Sequence, residues 1–272
     1  VIDWRENPIL RRELLFRLRP QPSHRTVIVL VVVLVFIAVA LLYWAALESM
    51  RGYEAYRELL TVILVIETLL VAGGAPAATA NAISREREQR TWDLLTITLL
   101  KPHEVVLGKL LGRTIPLLLF LLLGAPMMLL CVIARPDLLP GAMLGTLSIL
   151  VTLVFYSTAG LAASCFSRKT VTATVLAYLF AGGWVFGTFI LMFLTSLFIP
   201  GTNPSDTSFW VAVNPFAVIE PIMVKYTRSP YPPPSNDPLY VLSPWALLVV
   251  YSGLTVVLVW VLVSTYRYWA YR

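Results

Sequence analysis

Charge is scarce in this chain: 13% of its residues are charged, against roughly 25% in a soluble globular domain. Histidine and cysteine are scarcer still, with two of each in 272 residues. His24 and His103 stand beside apolar runs, and no acid pair, metal-spaced cluster or nucleophile elbow accompanies them, so an intramembrane enzyme finds no machinery here. Cys131 and Cys165 fall in separate apolar runs, near opposite faces of a membrane, which argues against a disulfide. No internal repeat is apparent, so an inverted-repeat carrier is not supported. A phosphate loop is missing too. Gly108-Lys109 is followed by leucine, and His103 stands where the loop needs its first glycine.

What the chain has is apolar length. Hydrophobic residues make up 58% of it, and the mean hydropathy is +0.78. Uncharged runs lie between Arg25 and Glu48, Arg113 and Arg135, Asp137 and Arg168, Lys169 and Asp206, and Asp237 and Arg267. Each is longer than the roughly 17 to 25 residues of a spanning helix. A sixth, Leu59 to Ser84, is broken only by Glu67. The expected fold is an all-α polytopic membrane protein with six transmembrane helices at 26–47, 59–82, 114–134, 139–166, 170–199 and 244–266. These would form a single domain over 1–272. Ala38-Val39-Ala40 has the form of a signal-peptidase site, but the apolar run continues well past it, so 26–47 reads as an uncleaved span.

Basic residues orient the bundle. Six Lys and Arg precede the first span, six lie in 82–113, two at Arg168-Lys169 and two at the C-terminus. Five lie on the other side: Arg51, Arg57, Arg135, Lys225 and Arg228. The positive-inside bias places both termini in the cytoplasm. The net charge of +6 then needs no nucleic-acid partner, because anionic lipid at the inner leaflet attracts the same residues.

Along the chain, 1–25 reads as an interfacial helix: Asn7-Pro8 starts it, Ile9, Leu10, Leu14 and Leu18 share one face, and Arg11, Arg12, Arg17 and Arg19 supply a basic one. In the second span Glu67, Val71, Gly74, Ala78 and Asn81 recur at helical spacing and share a small or polar face. Glu67, deep in the hydrocarbon, reads either as a point on a substrate or ion pathway or as an interhelical hydrogen bond, and Gly74 and Asn81 extend that face. The stretch 82–113 is the long polar segment between spans. Within it, Thr91 can cap a short helix carrying Asp93 in its first turn, and Lys101-Pro102 breaks that helix and opens the next. Trp92, Leu95 and Leu99 can fill a partner's groove, with Arg85, Glu86, Glu88 and Arg90 as a charged rim. An amphipathic connector resting on lipid is the other reading. Residues 200–243 form an outer loop in which Asn214-Pro215 repeats the cap-plus-proline start and Glu220 follows. The prolines of RSPYPPPSNDPL favour extended structure, and the chain is expected to stay outside until about Ser243.

The succession from Ile83 to Leu95, ISREREQRTWDLL, followed by VVLGKLLG at 105–112, resembles the cytoplasmic loop of ABC-2 type transporter permeases. That family shows Ser-x-Glu-x-Glu-x-Gly-Thr, a leucine-rich coupling helix and a Gly-Lys-leading third span. The N-terminal Asn-Pro-x-x-x-x-Glu-Leu segment and the six-span layout extend the resemblance loosely over the whole chain. One position departs: Arg90 stands where the family has glycine. The resemblance implies a permease subunit of an ATP-driven exporter in a bacterial inner membrane, with no enzymatic activity or cofactor of its own. Two copies of a separate ATPase subunit, holding ATP and magnesium, would seat on the coupling helix at 85–100 through Arg85, Glu86, Glu88, Arg90, Thr91, Trp92, Asp93 and Leu95. A second permease chain, identical or related, would complete the pathway as a dimer. Short re-entrant or interfacial helices holding Asn214 and Glu220 would close an outer gate. The alternative is an ion-coupled carrier or channel that uses Glu67.

Overall fold

A computed structural model describes Ile9, Glu13 and residues 53–91, 101–198, 208–226 and 238–266. The expected first span at 26–47, most of the N-terminal helix, and Trp92, Asp93 and Leu95 lie outside the described residues. Within them every regular element is a helix. The order is α1 (Tyr53–Thr79), α2 (Ser84–Glu88), α3 (Pro102–Leu121), α4 (Ala125–Ala134), a 3-10 turn (Pro136–Leu138), α5 (Leu139–Phe166), α6 (Thr170–Phe198), α7 (Ser208–Val213), α8 (Ile219–Tyr226) and α9 (Pro238–Ser264).

Four of these helices are long and apolar enough to cross a membrane: α1, α5, α6 and α9. A fifth crossing results if α3 and α4, bent by 43° relative to each other, form one broken span. The break falls at Leu122–Gly124, just before Pro126, which has no N–H to continue the ladder. Pro116 lies inside α3.

Helix limits for α5 and α6 agree with the apolar runs. Two others differ. α1 begins at Tyr53 rather than 59, taking charged Arg57 and Glu58 into its first turns. α9 begins at Pro238 rather than 244, with Pro238 at the helix start, where a proline is well tolerated, and Pro244 inside the helix. The helix expected over 85–100 is interrupted: α2 ends at Glu88.

The centre of the bundle is α5, which packs on α1, α3, α6, α8 and α9. Its small residues allow this: a Cβ on Gly145 would stand 2.6 Å from the Leu64 side chain, and one on Gly160 would strike Thr79 and Pro76 of α1. Ser148, Thr152, Ser157, Thr158 and Ser164 are buried along the same helix. Ser148 and Thr152 return their hydroxyls to the carbonyl four residues back, which removes the cost of burying them. In contrast α6 and α9 are peripheral, with Phe186, Phe193, Val249 and Trp260 exposed. Large apolar side chains turned outward on two long helices are what hydrocarbon surroundings require.

At the end of the bundle away from α2, the short helices fold back on the spans. Asn214 uses all four hydrogen-bonding positions of its amide: Nδ2 donates to Val185 O (3.2 Å) and Thr188 Oγ1 (2.8 Å), and Oδ1 accepts from the N–H groups of Phe216 and Ala217. It thus caps the turn before α8, as its sequence suggests, while tying that turn to α6. Tyr251 Oη donates to Val213 O (2.8 Å) and accepts from Trp184 Nε1 (2.9 Å), which ties α7 to α6 and α9. Glu220 is exposed on α8.

Candidate functional site

Four charged residues in a row, Arg85-Glu86-Arg87-Glu88, form α2, and three of them turn toward the bundle. Glu86 Oε2 lies 2.7 Å from the ammonium of Lys109 on α3. Arg87 Nη1 donates to the carbonyls of Cys165 (2.7 Å), in the last turn of α5, and of Ser167 (3.1 Å), its C-cap. Glu88 accepts from the backbone N–H (2.8 Å) and hydroxyl (2.9 Å) of Thr170, the first residue of α6. Each sign suits its place: a cation meets the negative end of one helix dipole, and an anion meets the positive end of the next.

The start of α2 is satisfied from elsewhere. Ser164 Oγ on α5 accepts from the N–H groups of Ile83 (2.9 Å) and Ser84 (3.0 Å), two of the donors a helix start leaves unpaired. At its other end the Thr91 N–H bonds Glu86 O (2.9 Å) and the Arg90 N–H bonds Arg87 O (3.0 Å), the paired bonds of a Schellman cap. That cap needs a left-handed residue, and Arg90 supplies it with φ of 56°. A glycine would take this conformation without the steric cost a side chain incurs.

Lys109 is 1% exposed, in a helix that runs on into apolar sequence. Its ammonium also donates to Ala82 O (3.1 Å) and stands 3.8 Å from Glu13 Oε1. Arg113, one turn further along α3, places Nε 3.4 Å from Glu13 Oε2 and donates through Nη1 to Ala78 O (3.0 Å) and to Asn81 Oδ1. Two cations and two carboxylates are thereby shared among four segments. Glu13 can reach the cluster because Gly112 has no side chain: a Cβ there would lie 2.6 Å from Glu13 Cβ. Ile9, one helical turn before Glu13, is buried with Ile83, Val105, Val106 and Leu161. Ile9 and Glu13 themselves therefore pack on protein.

The outward side of α2 is different. Arg85, Gln89, Arg90 and Thr91 are exposed, as is Glu88 despite its bonds to Thr170. Beside them opens a cleft of about 520 Å³ lined by Asn81, Arg85, Glu88, Gln89, Thr170 and Thr174.

Of the described residues read as a docking rim, Arg85, Arg90 and Thr91 face outward together. Glu86 is committed to Lys109, and Glu88 to the start of α6. The polar face read along α1 is a seam with α3 and α4: Glu67 meets Gly124, Gly74 meets Leu117, and Ala78 and Asn81 meet Arg113. Asn81 itself lies in the turn after α1. Sequence reasoning missed Lys109, Arg113, Arg87, Ser164 and Glu13. A signal existed for two of them, since Lys109 and Arg113 are one turn apart on a helix entering an apolar span, where a cation needs a partner.

Compared with the models of known protein families and with curated proteins, this chain matches none.

Proposed function

We propose that this chain is the membrane-spanning permease subunit of an ATP-driven exporter of the ABC-2 type, in which α2 passes force from a separate ATPase to the spans. The observation that carries this is the double commitment of α2. One side is tied at once to α3, α5 and α6 through Glu86, Arg87 and Glu88, while the other leaves Arg85, Arg90 and Thr91 exposed beside an open cleft. A partner pushing on such an element moves three helices together, because bending α2 away from any one of them leaves a charge without its partner. The resemblance of 83–95 and 105–112 to the cytoplasmic loop of ABC-2 permeases supports the same reading. So does the motif Ser-x-Glu-x-Glu-x-Gly-Thr, since its positions here correspond to Ser84, Glu86, Glu88, Arg90 and Thr91, each with a defined place in α2 or its cap.

On this reading both termini and α2 are cytoplasmic, two permease chains form the pathway, and nucleotide and magnesium belong to the ATPase. Purification of the tagged chain should bring with it a subunit that hydrolyses ATP. Replacing Trp92 and Leu95 together by glutamate should release that subunit while leaving the permease folded. Retention of the ATPase by this double variant would count against the proposal. An ion-coupled carrier is the second reading, favoured by the buried oxygen of Glu67 that has no hydrogen-bond partner among the described residues. It predicts transport without an ATPase, abolished in Glu67→Gln.

A further inference from the structure

The bend between α3 and α4 opens a groove, and one carboxyl group faces it. Glu67 is 6% exposed, and among the described residues its Oε1 has no hydrogen-bond partner. It lies near the middle of the 27-residue α1, about 20 Å from either end at 1.5 Å per residue. Gly124, at the bend, leaves the room: a Cβ there would collide with Glu67 Oε1. The groove has a volume of about 950 Å³, and its walls include Leu118, Met128, Met143, Leu147 and Trp245. That is the size of a pocket for a drug-sized molecule.

Glu67 lines the groove with its unpaired Oε1 packed against Gly124, and a turn of the side chain that brings this oxygen to a donor in the groove would recover the free energy it costs in apolar surroundings. An occupant that brings a donor is therefore favoured over one that brings only hydrocarbon. We infer that this groove binds a lipophilic amine, a membrane-dissolved amphiphile whose apolar body lies along the wall and whose nitrogen meets Glu67. Nitrogen closes the pair in either arrangement, as ammonium on carboxylate or as amine accepting from the carboxylic acid. Trp245 adds an indole, the ring that best attracts a cation. A phospholipid headgroup is excluded by depth, since its nitrogen stays at the membrane surface. A fatty acid would set a second carboxyl against the first. Among the described residues no three His, Cys, Asp or Glu gather to hold a metal ion. The inference goes beyond the export reading and does not rest on it, because the groove belongs to this chain alone.

The test uses the full chain in phosphatidylcholine nanodiscs, with no ATPase, and radiolabelled dodecylamine as the probe, empty nanodiscs serving as background. Saturable binding is expected, displaced by unlabelled dodecylamine and not by dodecanoic acid. Glu67→Gln should weaken it by about tenfold or more, as loss of one partner of a buried charged contact does. Leu147→Trp, which narrows the groove from the α5 wall and leaves the carboxyl in place, should weaken it as well. Should Glu67→Gln fail to fold, a rise in the thermal midpoint of the wild-type chain with dodecylamine, absent with dodecanoic acid, serves instead. Unchanged affinity in Glu67→Gln, equal displacement by dodecanoic acid, or no midpoint shift would overturn the inference. So would a dimer in which a second copy seals the groove, revealed if Leu147→Trp separates the chains.

Discussion

Glu86 and Glu67 are both acids held against α3 or the bend after it, and they could hardly be treated more differently. Glu86 has an ammonium at 2.7 Å and belongs to a cluster with Glu13, Lys109 and Arg113, whereas Glu67 Oε1 has no partner among the described residues. The first arrangement ties the α2 end of the bundle together, because each of these four charges would lose a partner if its neighbour moved. The second leaves a carboxyl oxygen without a hydrogen bond among the described residues, about midway along a helix long and apolar enough to cross a membrane. The first acid ties segments together; the second borders an open groove.

The largest effect should come from breaking the charged cluster. Lys109→Ala leaves Glu86 and Glu13 without their shared cation and should cost about 3 to 5 kcal/mol. Thermal unfolding in nanodiscs measures it, and a double-mutant cycle with Glu86→Ala should show strong coupling; additivity of the two would mean that the contact is not an energetic unit. Glu88→Ala removes the carboxylate at the start of α6 and should cost about 1 kcal/mol, the usual worth of an N-terminal cap. Arg90→Gly should go the other way, gaining about 0.5 to 1 kcal/mol by relieving the left-handed backbone, provided that no contact of the arginine side chain outweighs it. Smallest of all, Glu67→Gln should change stability by no more than about 0.5 kcal/mol in either direction, since no hydrogen bond of its Oε1 is lost among the described residues. A loss at Glu67 as large as that at Lys109 would abolish the contrast between the two acids.

Much of the fold could be read along the chain. The runs 139–166 and 170–199 became α5 and α6 almost residue for residue, because a long uncharged segment in hydrocarbon has only the helix available to satisfy its backbone. Asn214 was recognisable as a cap from the proline after it. Pro238 was not, since a proline-rich segment looks extended until one of its members is seen to start a helix. The candidate site was legible only in part. Arg85, Arg90 and Thr91 are outward, as a docking rim requires, but Glu86 and Glu88 turn inward to partners 23 and 82 residues away, which no local pattern could announce.

Composition and spacing alone determined that these segments are helices suited to a membrane, and roughly where each begins and ends, because hydrophobic length and backbone hydrogen bonding are local properties. Tertiary structure decided which charges are spent and which are left over. That choice depends on where α3, α5 and α6 bring their termini and cations, and the low dielectric between packed helices turns each such meeting, or its absence, into a large energy.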